Sequence, residues 1–217
     1  ALREAGYGPE EVRWVINTHL HFDHGGGNTK VVGGSGQRRA AEGGGLGEAD
    51  RQTGRPPDRP LLAFPNATYV VQRGELEFAR RANERTRASY FPPNFDPVAE
   101  ADRWRLLDGP SDVLPGLSVL VTPGHVPYHQ SVVVSDGGDT ALFLGDLAPT
   151  SAHLPLPWIM GYDLEPLTTL ETKRDVLGRA AAEGWLLLFE HDPEVLMGQV
   201  VEGSHGLELA DAVRLTG

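Results

Sequence analysis

Residues 18–28 read THLHFDHGGGN, and this stretch places four potential metal ligands within six positions: His19, His21, Asp23 and His24. Histidine imidazole and aspartate carboxylate groups both bind zinc and its first-row neighbours. On an extended backbone, His19 and His21 point to the same side because they lie two residues apart. Asp23 and His24 are adjacent and project differently, as two neighbouring metal positions would require. The alternative interpretation is a polar loop whose histidines only form hydrogen bonds.

Three further candidate ligands each follow a stretch with strand character. They are His125 after residues 117–122 (LSVLVT), Asp146 after residues 140–144 (TALFL), and His191 after residues 185–189 (WLLLF). Strand ends hold polar side chains rigidly, and sites assembled from several of them are common. Each residue alone has an ordinary explanation as a turn residue, a helix cap or a structural histidine. Together they complete a set of metal ligands.

The rest of the chain alternates short predicted strands with helices. Further strands are predicted at residues 13–17 (RWVIN), 68–72 (TYVVQ) and 131–135 (SVVVS), a hairpin turn at 136–139 (DGGD), and a helix over 74–89. A final helix is predicted from a capping box of Thr168 and Glu171, with Gly184 ending it. This mixture predicts a layered α/β architecture within one domain over residues 1–217. Residues 33–60, rich in glycine and proline, are predicted to form a flexible insertion.

Composition excludes several classes of function. The net charge of −11 argues against nucleic acid as a partner, because a phosphate-binding surface would be basic. The chain has no cysteine, so any metal must use histidine and carboxylate ligands. No apolar run approaches the roughly 20 residues that span a bilayer, so no membrane partner is expected. A cytoplasmic location is favoured, although Ala1 replaces the usual Met and leaves an upstream segment or signal peptide open.

The order HxHxDH, then His, then Asp, then His resembles the metallo-β-lactamase-fold hydrolases, and the surrounding text looks most like the acyl-homoserine lactone lactonase branch. The text that carries the likeness is HLHFDHGGGN, FPNATYVVQRGELEFA, TPGHVPYHQS, GD and FEHDP, within residues 10–194. The resemblance implies a four-layer αβ/βα fold, with two β-sheets sandwiched between helices. It assigns one metal to His19, His21 and His125, a second to Asp23, His24 and His191, and a bridging position to Asp146.

The chain departs from the lactonase pattern at several positions. The lactonases have a Tyr that contacts the substrate carbonyl three residues after the bridging Asp, and Pro149 stands there in this chain. The family's PGHxPGH is PGHVPYH here: Tyr128 replaces a Gly, while His129 keeps the second His, which we expect to orient the ligands. The fold family also begins with several strands before HxHxDH, so the chain is expected to be short of its N-terminal strands.

The resemblance implies a hydrolase with two divalent metal ions, zinc being favoured and manganese, iron or cobalt left open. A metal-bridging hydroxide would attack a lactone or a related ester, and Asp23 would pass a proton to the leaving group. Phe22 and His153 are predicted to contact the small-molecule substrate. Phosphotriester or thioester hydrolysis and a truncated, non-catalytic metal-binding homologue are the alternatives. A homodimer is left open.

Overall fold

The structure is a computed structural model that describes residues 2–31, 60–204 and 206–215. Its strands are β1 (Trp14–Ile16), β2 (Thr29–Val31), β3 (Pro60–Leu62), β4 (Thr68–Gln72), β5 (Trp104–Leu107), β6 (Ser111–Leu114), β7 (Leu117–Val121), β8 (Gln130–Asp136), β9 (Asp139–Phe143), β10 (Leu186–Leu188), β11 (Val195–Gly203) and β12 (Gly206–Arg214). Its helices are α1 (Phe22–Gly25), α2 (Arg73–Arg80), α3 (Asp96–Glu100) and α4 (Pro166–Glu183). None of these helices is long and apolar enough to cross a membrane.

The strands form two main sheets. The smaller has the order β1-β4-β5 with both pairs parallel, and the larger has the order β12-β11-β10-β9-β8-β7-β6. Among the described strands of the larger sheet, only β9 and β10 pair in parallel, and α4 makes the crossover between them. Strands β2 and β3 form a separate antiparallel pair.

Alternating side chains on β4 divide the apolar core between two faces of the smaller sheet. Val70 packs with Val113 and Val119 from the larger sheet, so the two sheets meet face to face. Its neighbour Val71 points the other way and packs against Leu76 of α2. The period of two along a strand produces this division.

Helix α4 covers the outer face of the larger sheet. Its residues Leu177 and Ala180 pack with Leu142 of β9 and Leu187 of β10 in one buried cluster. The layers therefore run α2, smaller sheet, larger sheet, α4. The four-layer α/β architecture is confirmed.

Most predicted elements occur where the sequence places them, with strand ends one or two residues shorter or longer. The 136–139 hairpin is confirmed, with Gly137 and Gly138 at φ +60° and +101° between the paired residues Asp136 and Asp139. Gly184 ends α4 in the left-handed conformation, φ +70°, as predicted. Of the predicted insertion, residues 33–59 lie outside the described part of the chain.

Two helix boundaries were wrong. The predicted helix 74–89 ends at Arg80, because the side-chain oxygen of Asn83 accepts hydrogen bonds from the backbone N–H groups of Arg85 and Thr86 and forms a turn instead. Helix α4 begins at Pro166 rather than at a cap on Thr168. A proline is favoured at a first helical position, where its missing N–H costs nothing.

Candidate metal centre

All seven predicted metal ligands lie at one edge of the two sheets, in the segments that directly follow strands. The HxHxDH stretch follows β1: His19 and His21 precede α1, and Asp23 and His24 lie within it. The other three are His125 after β7, Asp146 after β9 and His191 after β10. The prediction that these residues follow strand ends is confirmed.

The first group of donor atoms comprises His19, His21, His125 and Asp146, whose ligand atoms all lie within 4.8 Å of one another. The Nε2 atom of His125 is 3.1 Å from His21 Nδ1 and 3.1 Å from Asp146 Oδ2. His19 Nε2 is 3.8 Å from the same carboxylate oxygen. Three imidazoles and one carboxylate therefore converge on one point.

The second group comprises Asp23, His24 and His191. The Nε2 atoms of His24 and His191 are 3.2 Å apart, and Asp23 Oδ2 lies 3.6 Å from that of His24. Asp146 reaches this group as well: its Oδ1 is 3.3 Å from His191 Nε2, and its Oδ2 is 3.4 Å from His24 Nε2. Asp146 thus lies between the two groups, the position that the resemblance assigns to a shared ligand.

The chemistry of these donors fits divalent metal ions. His19 Nε2 and Asp146 Oδ1 are buried without a hydrogen-bond partner, which is costly for polar atoms unless something else satisfies them. His125 Nδ1 donates a hydrogen bond to Asp163 Oδ1 at 2.9 Å, so its Nε2 carries a lone pair toward the cluster. Nitrogen and oxygen lone pairs that face one another repel unless a cation lies among them.

Three residues that orient the ligands were missed at the sequence level. Asp163, which accepts the hydrogen bond of His125, also accepts one from Thr169 Oγ1 at 2.7 Å. Glu190 Oε2 lies 3.1 Å from His24 Nδ1. Glu75 is fully buried on α2 and accepts a hydrogen bond from the backbone N–H of Leu20 at 2.9 Å. Only Glu190, next to His191 in sequence, offered a signal, because the other two act across distant segments.

The ring of His129 binds the backbone of Asp146, which agrees with the prediction that His129 orients the metal ligands. Its Nε2 accepts a hydrogen bond from the Asp146 N–H at 3.1 Å, and its Nδ1 lies 2.7 Å from Thr122 Oγ1. Gly145 has φ +56°, and a Cβ at this position would lie 2.7 Å from His129 Nε2. The close contact therefore depends on glycine at position 145.

Burial and neighbouring charge set the protonation of the cluster. Burial, together with the nearby imidazole of His125, lowers the pKa of His21 to about 4 and that of His129 to about 3. Burial would also lower the pKa of His24, but the carboxylates of Asp146 and Glu190 raise it to about 10. His21 is therefore neutral, the state in which an imidazole binds metals, and the carboxylates beside His24 favour positive charge at the centre.

A cavity of about 760 Å³ opens onto both groups of ligands. Phe22 and His153, the predicted substrate contacts, both line it. Phe22 is 48% exposed and stacks on Phe91 at 5.4 Å, while His153 Nδ1 lies 2.8 Å from Thr150 Oγ1. Pro149 also lines the cavity, so no hydroxyl group is offered there. Ile159 and Met160, from the apolar proline-rich segment after Asp146, also line the cavity, together with Arg85 and Tyr162, which the sequence did not single out.

Comparison with known proteins identifies relatives of this chain. Residues 1–191 match the profile of the metallo-β-lactamase superfamily. An N-acyl homoserine lactonase from Bacillus sp. is 27% identical over 197 residues, which cover 89% of this chain and 61% of the relative. The chain therefore spans about three fifths of the length of that curated relative.

Solved structures share the fold. A probable metal-dependent hydrolase from Staphylococcus aureus superposes with a TM-score of 0.77 at 22% identity, over 98% of this chain and 67% of the other. AidC, a dizinc quorum-quenching lactonase, gives a TM-score of 0.73 at 18% identity, over 99% of this chain and 69% of its own. The family match covers most of the chain, and its ligand residues converge as the resemblance implied. The chain therefore belongs to the metallo-β-lactamase superfamily.

Proposed function

We propose that this chain is a binuclear metal-dependent hydrolase that opens a lactone or cleaves a related carboxylic ester. The observation that carries the proposal is the pair of donor groups that share Asp146 at the floor of one cavity. His19, His21 and His125 would hold one ion, and Asp23, His24 and His191 the other. When bound, two divalent ions, with zinc favoured, supply an activated water at neutral pH and polarise the scissile carbonyl.

The protein's own residues would position the substrate and move the proton. Asp23 has a 43% exposed side chain and lines the cavity, so its carboxylate can carry a proton to the leaving-group oxygen. Phe22, Ile159 and Met160 line the cavity and provide apolar surface for an acyl group. The cavity thus combines a hydrolytic centre with space for an apolar substituent.

His153 is proposed to donate a hydrogen bond to the substrate in place of the hydroxyl that Pro149 lacks. We expect His153→Ala to lower turnover more than about tenfold while the metal content stays the same, because the residue lines the cavity outside both ligand groups. Steady-state kinetics and elemental analysis of the same sample measure both quantities. Unchanged kinetics would remove this role.

The first test is metal content, followed by a substrate panel. Elemental analysis of protein purified without chelator should give about two metal ions per chain. The metal-loaded protein should then hydrolyse lactones or carboxylic esters faster than phosphotriesters or thioesters. A value near zero even after reconstitution would contradict the binuclear proposal. Two bound ions with no hydrolysis of any substrate would instead favour a non-catalytic metal-binding homologue.

A further inference from the structure

A buried lysine connects α4 to the wall of the cavity. The chain has 19 lysine and arginine residues, of which only Lys30 and Lys173 are lysines. Lys30 is exposed on β2, whereas Lys173 on α4 has an exposed fraction of 0%. A charged group is almost never fully buried unless it has specific partners.

The ammonium group of Lys173 is bound by three backbone carbonyl oxygens of one segment. Its Nζ donates to the oxygens of Pro155 at 2.8 Å, Leu156 at 3.3 Å and Trp158 at 2.9 Å. An ammonium has three N–H donors, so these acceptors can satisfy all of them. The planar guanidinium of arginine presents its donors in a fixed fork and would not aim them at one converging set of oxygens.

The segment needs this partner because of its prolines. Pro155 and Pro157 have no backbone N–H, so residues 154–158 cannot form a regular helix or strand that would pair their carbonyl groups. The only backbone hydrogen bond that an amide within this stretch donates to another residue of the stretch, among those the structure describes, joins Trp158 N to Pro155 O. Lys173 thus supplies donors that the segment itself lacks.

Lys173 and the carbonyl oxygens of Pro155, Leu156 and Trp158 form what we call the three-carbonyl clamp. Residues 159–162 follow it directly and form one wall of the cavity. Ile159, Met160 and Tyr162 line the cavity beside the metal ligands. Immediately afterwards the chain is fixed again, because Asp163 binds the ring of His125 and Leu164 N donates to the His125 backbone oxygen at 3.1 Å. The wall is therefore held at two ends, by Lys173 before it and by the His125 loop after it.

We propose that Lys173 is a positioning residue that sets the place of the 159–162 wall and thereby determines which acyl groups the cavity accepts. The inference rests on the proposed function only for its substrate readout. The wall lies outside both ligand groups, so the clamp should act on substrate binding and leave the metal centre intact.

The test compares Lys173→Met with Lys30→Met, a matched substitution at the other lysine. We expect Lys173→Met to raise KM about tenfold for lactones with a long acyl chain, with kcat and metal per chain unchanged within about twofold. For unsubstituted γ-butyrolactone, which does not reach the wall, KM should stay the same. Lys30→Met should match the wild type throughout. An equal loss on both substrates, or no loss, would overturn the proposal.

Hydrogen exchange provides a readout that does not depend on activity. In the metal-loaded protein, peptides covering residues 154–162 should exchange about tenfold faster in Lys173→Met, while peptides from the β8–β9 hairpin do not change. If the wild type binds two metals but hydrolyses no lactone or ester, the proposed function fails. Hydrogen exchange alone then tests whether Lys173 positions residues 159–162. Unchanged exchange would then overturn that role.

A second variant covers the case in which Lys173→Met does not fold. Lys173→Arg keeps the positive charge but changes the geometry of the donors. We expect it to raise KM for long-chain lactones in the same direction and to speed exchange in the same peptides. Wild-type selectivity and exchange in Lys173→Arg would show that the wall does not depend on the three-carbonyl clamp.

Discussion

Thr122→Val tests whether the hydrogen-bond chain behind Asp146 holds the bridging ligand. Ser131 Oγ donates to the Leu144 carbonyl at 2.9 Å, and its partner Thr122 Oγ1 lies 3.0 Å away. Since that carbonyl can only accept, the Thr122 hydroxyl donates to Ser131 and accepts from His129 Nδ1–H. The opposite ring nitrogen is then free to accept from the Asp146 N–H. One threonine hydroxyl therefore fixes the tautomer of His129.

The expected losses of stability and metal affinity follow from the hydrogen bonds that valine cannot form. Valine keeps the shape of threonine but leaves the buried Nδ1–H of His129 without an acceptor and Ser131 without a donor. We expect the free energy of unfolding to fall by about 2–3 kcal/mol, since an unsatisfied buried donor costs about 1–3 kcal/mol. Metal affinity should fall about 10–100-fold, as is typical when a residue that orients a ligand is lost.

Urea denaturation in the presence of chelator measures the stability change, and titration against a competing chelator measures the affinity. Thr140→Val is the matched control. Its hydroxyl faces the exposed Ser135 Oγ at 3.2 Å, so the change should stay within about 0.5 kcal/mol. If Thr122→Val behaves like this control in both measurements, the reasoning about the His129 tautomer is wrong.

Three further predictions concern other parts of the site. A Cβ on Gly74 would overlap the Tyr128 ring, so Gly74→Ala should lower the free energy of unfolding of the wild type by at least about 1 kcal/mol. In a Tyr128→Gly variant the same change should raise the free energy of unfolding through helix propensity. A change of the same sign in both backgrounds would contradict this prediction. Burial raises the pKa of Glu75 to about 7, so the folded protein retains a proton from pH 4.5 to 7 that the unfolded chain releases. As the pH rises through that window, the free energy of unfolding of the wild type should fall relative to that of Glu75→Gln by up to about 1.4 kcal/mol per pH unit. A difference between the two proteins that does not change with pH would refute the prediction. Asp146→Ala should lose metal and activity together, and retention of two ions in elemental analysis would exclude a bridging role.

The sequence determined which residues could bind metal and roughly where the strands before them run. His19, His21, Asp23 and His24 are close in sequence, so their grouping is a local property that spacing alone reveals. The β4 strand and the 136–139 hairpin were also predictable, since apolar runs and turn glycines act over a few residues. The final antiparallel strands β11 and β12 were missed, because their alternating pattern carries many exposed residues.

Only the tertiary structure decided what surrounds those ligands. Asp163 reaches His125 across 38 positions, and Glu75 reaches the Leu20 amide across 55. Lys173 is buried because the proline-rich segment packs on it and accepts its hydrogen bonds. No local pattern encodes such pairings, because a buried polar group is satisfied by whichever distant segment the packing of the sheets and helices brings within hydrogen-bond distance.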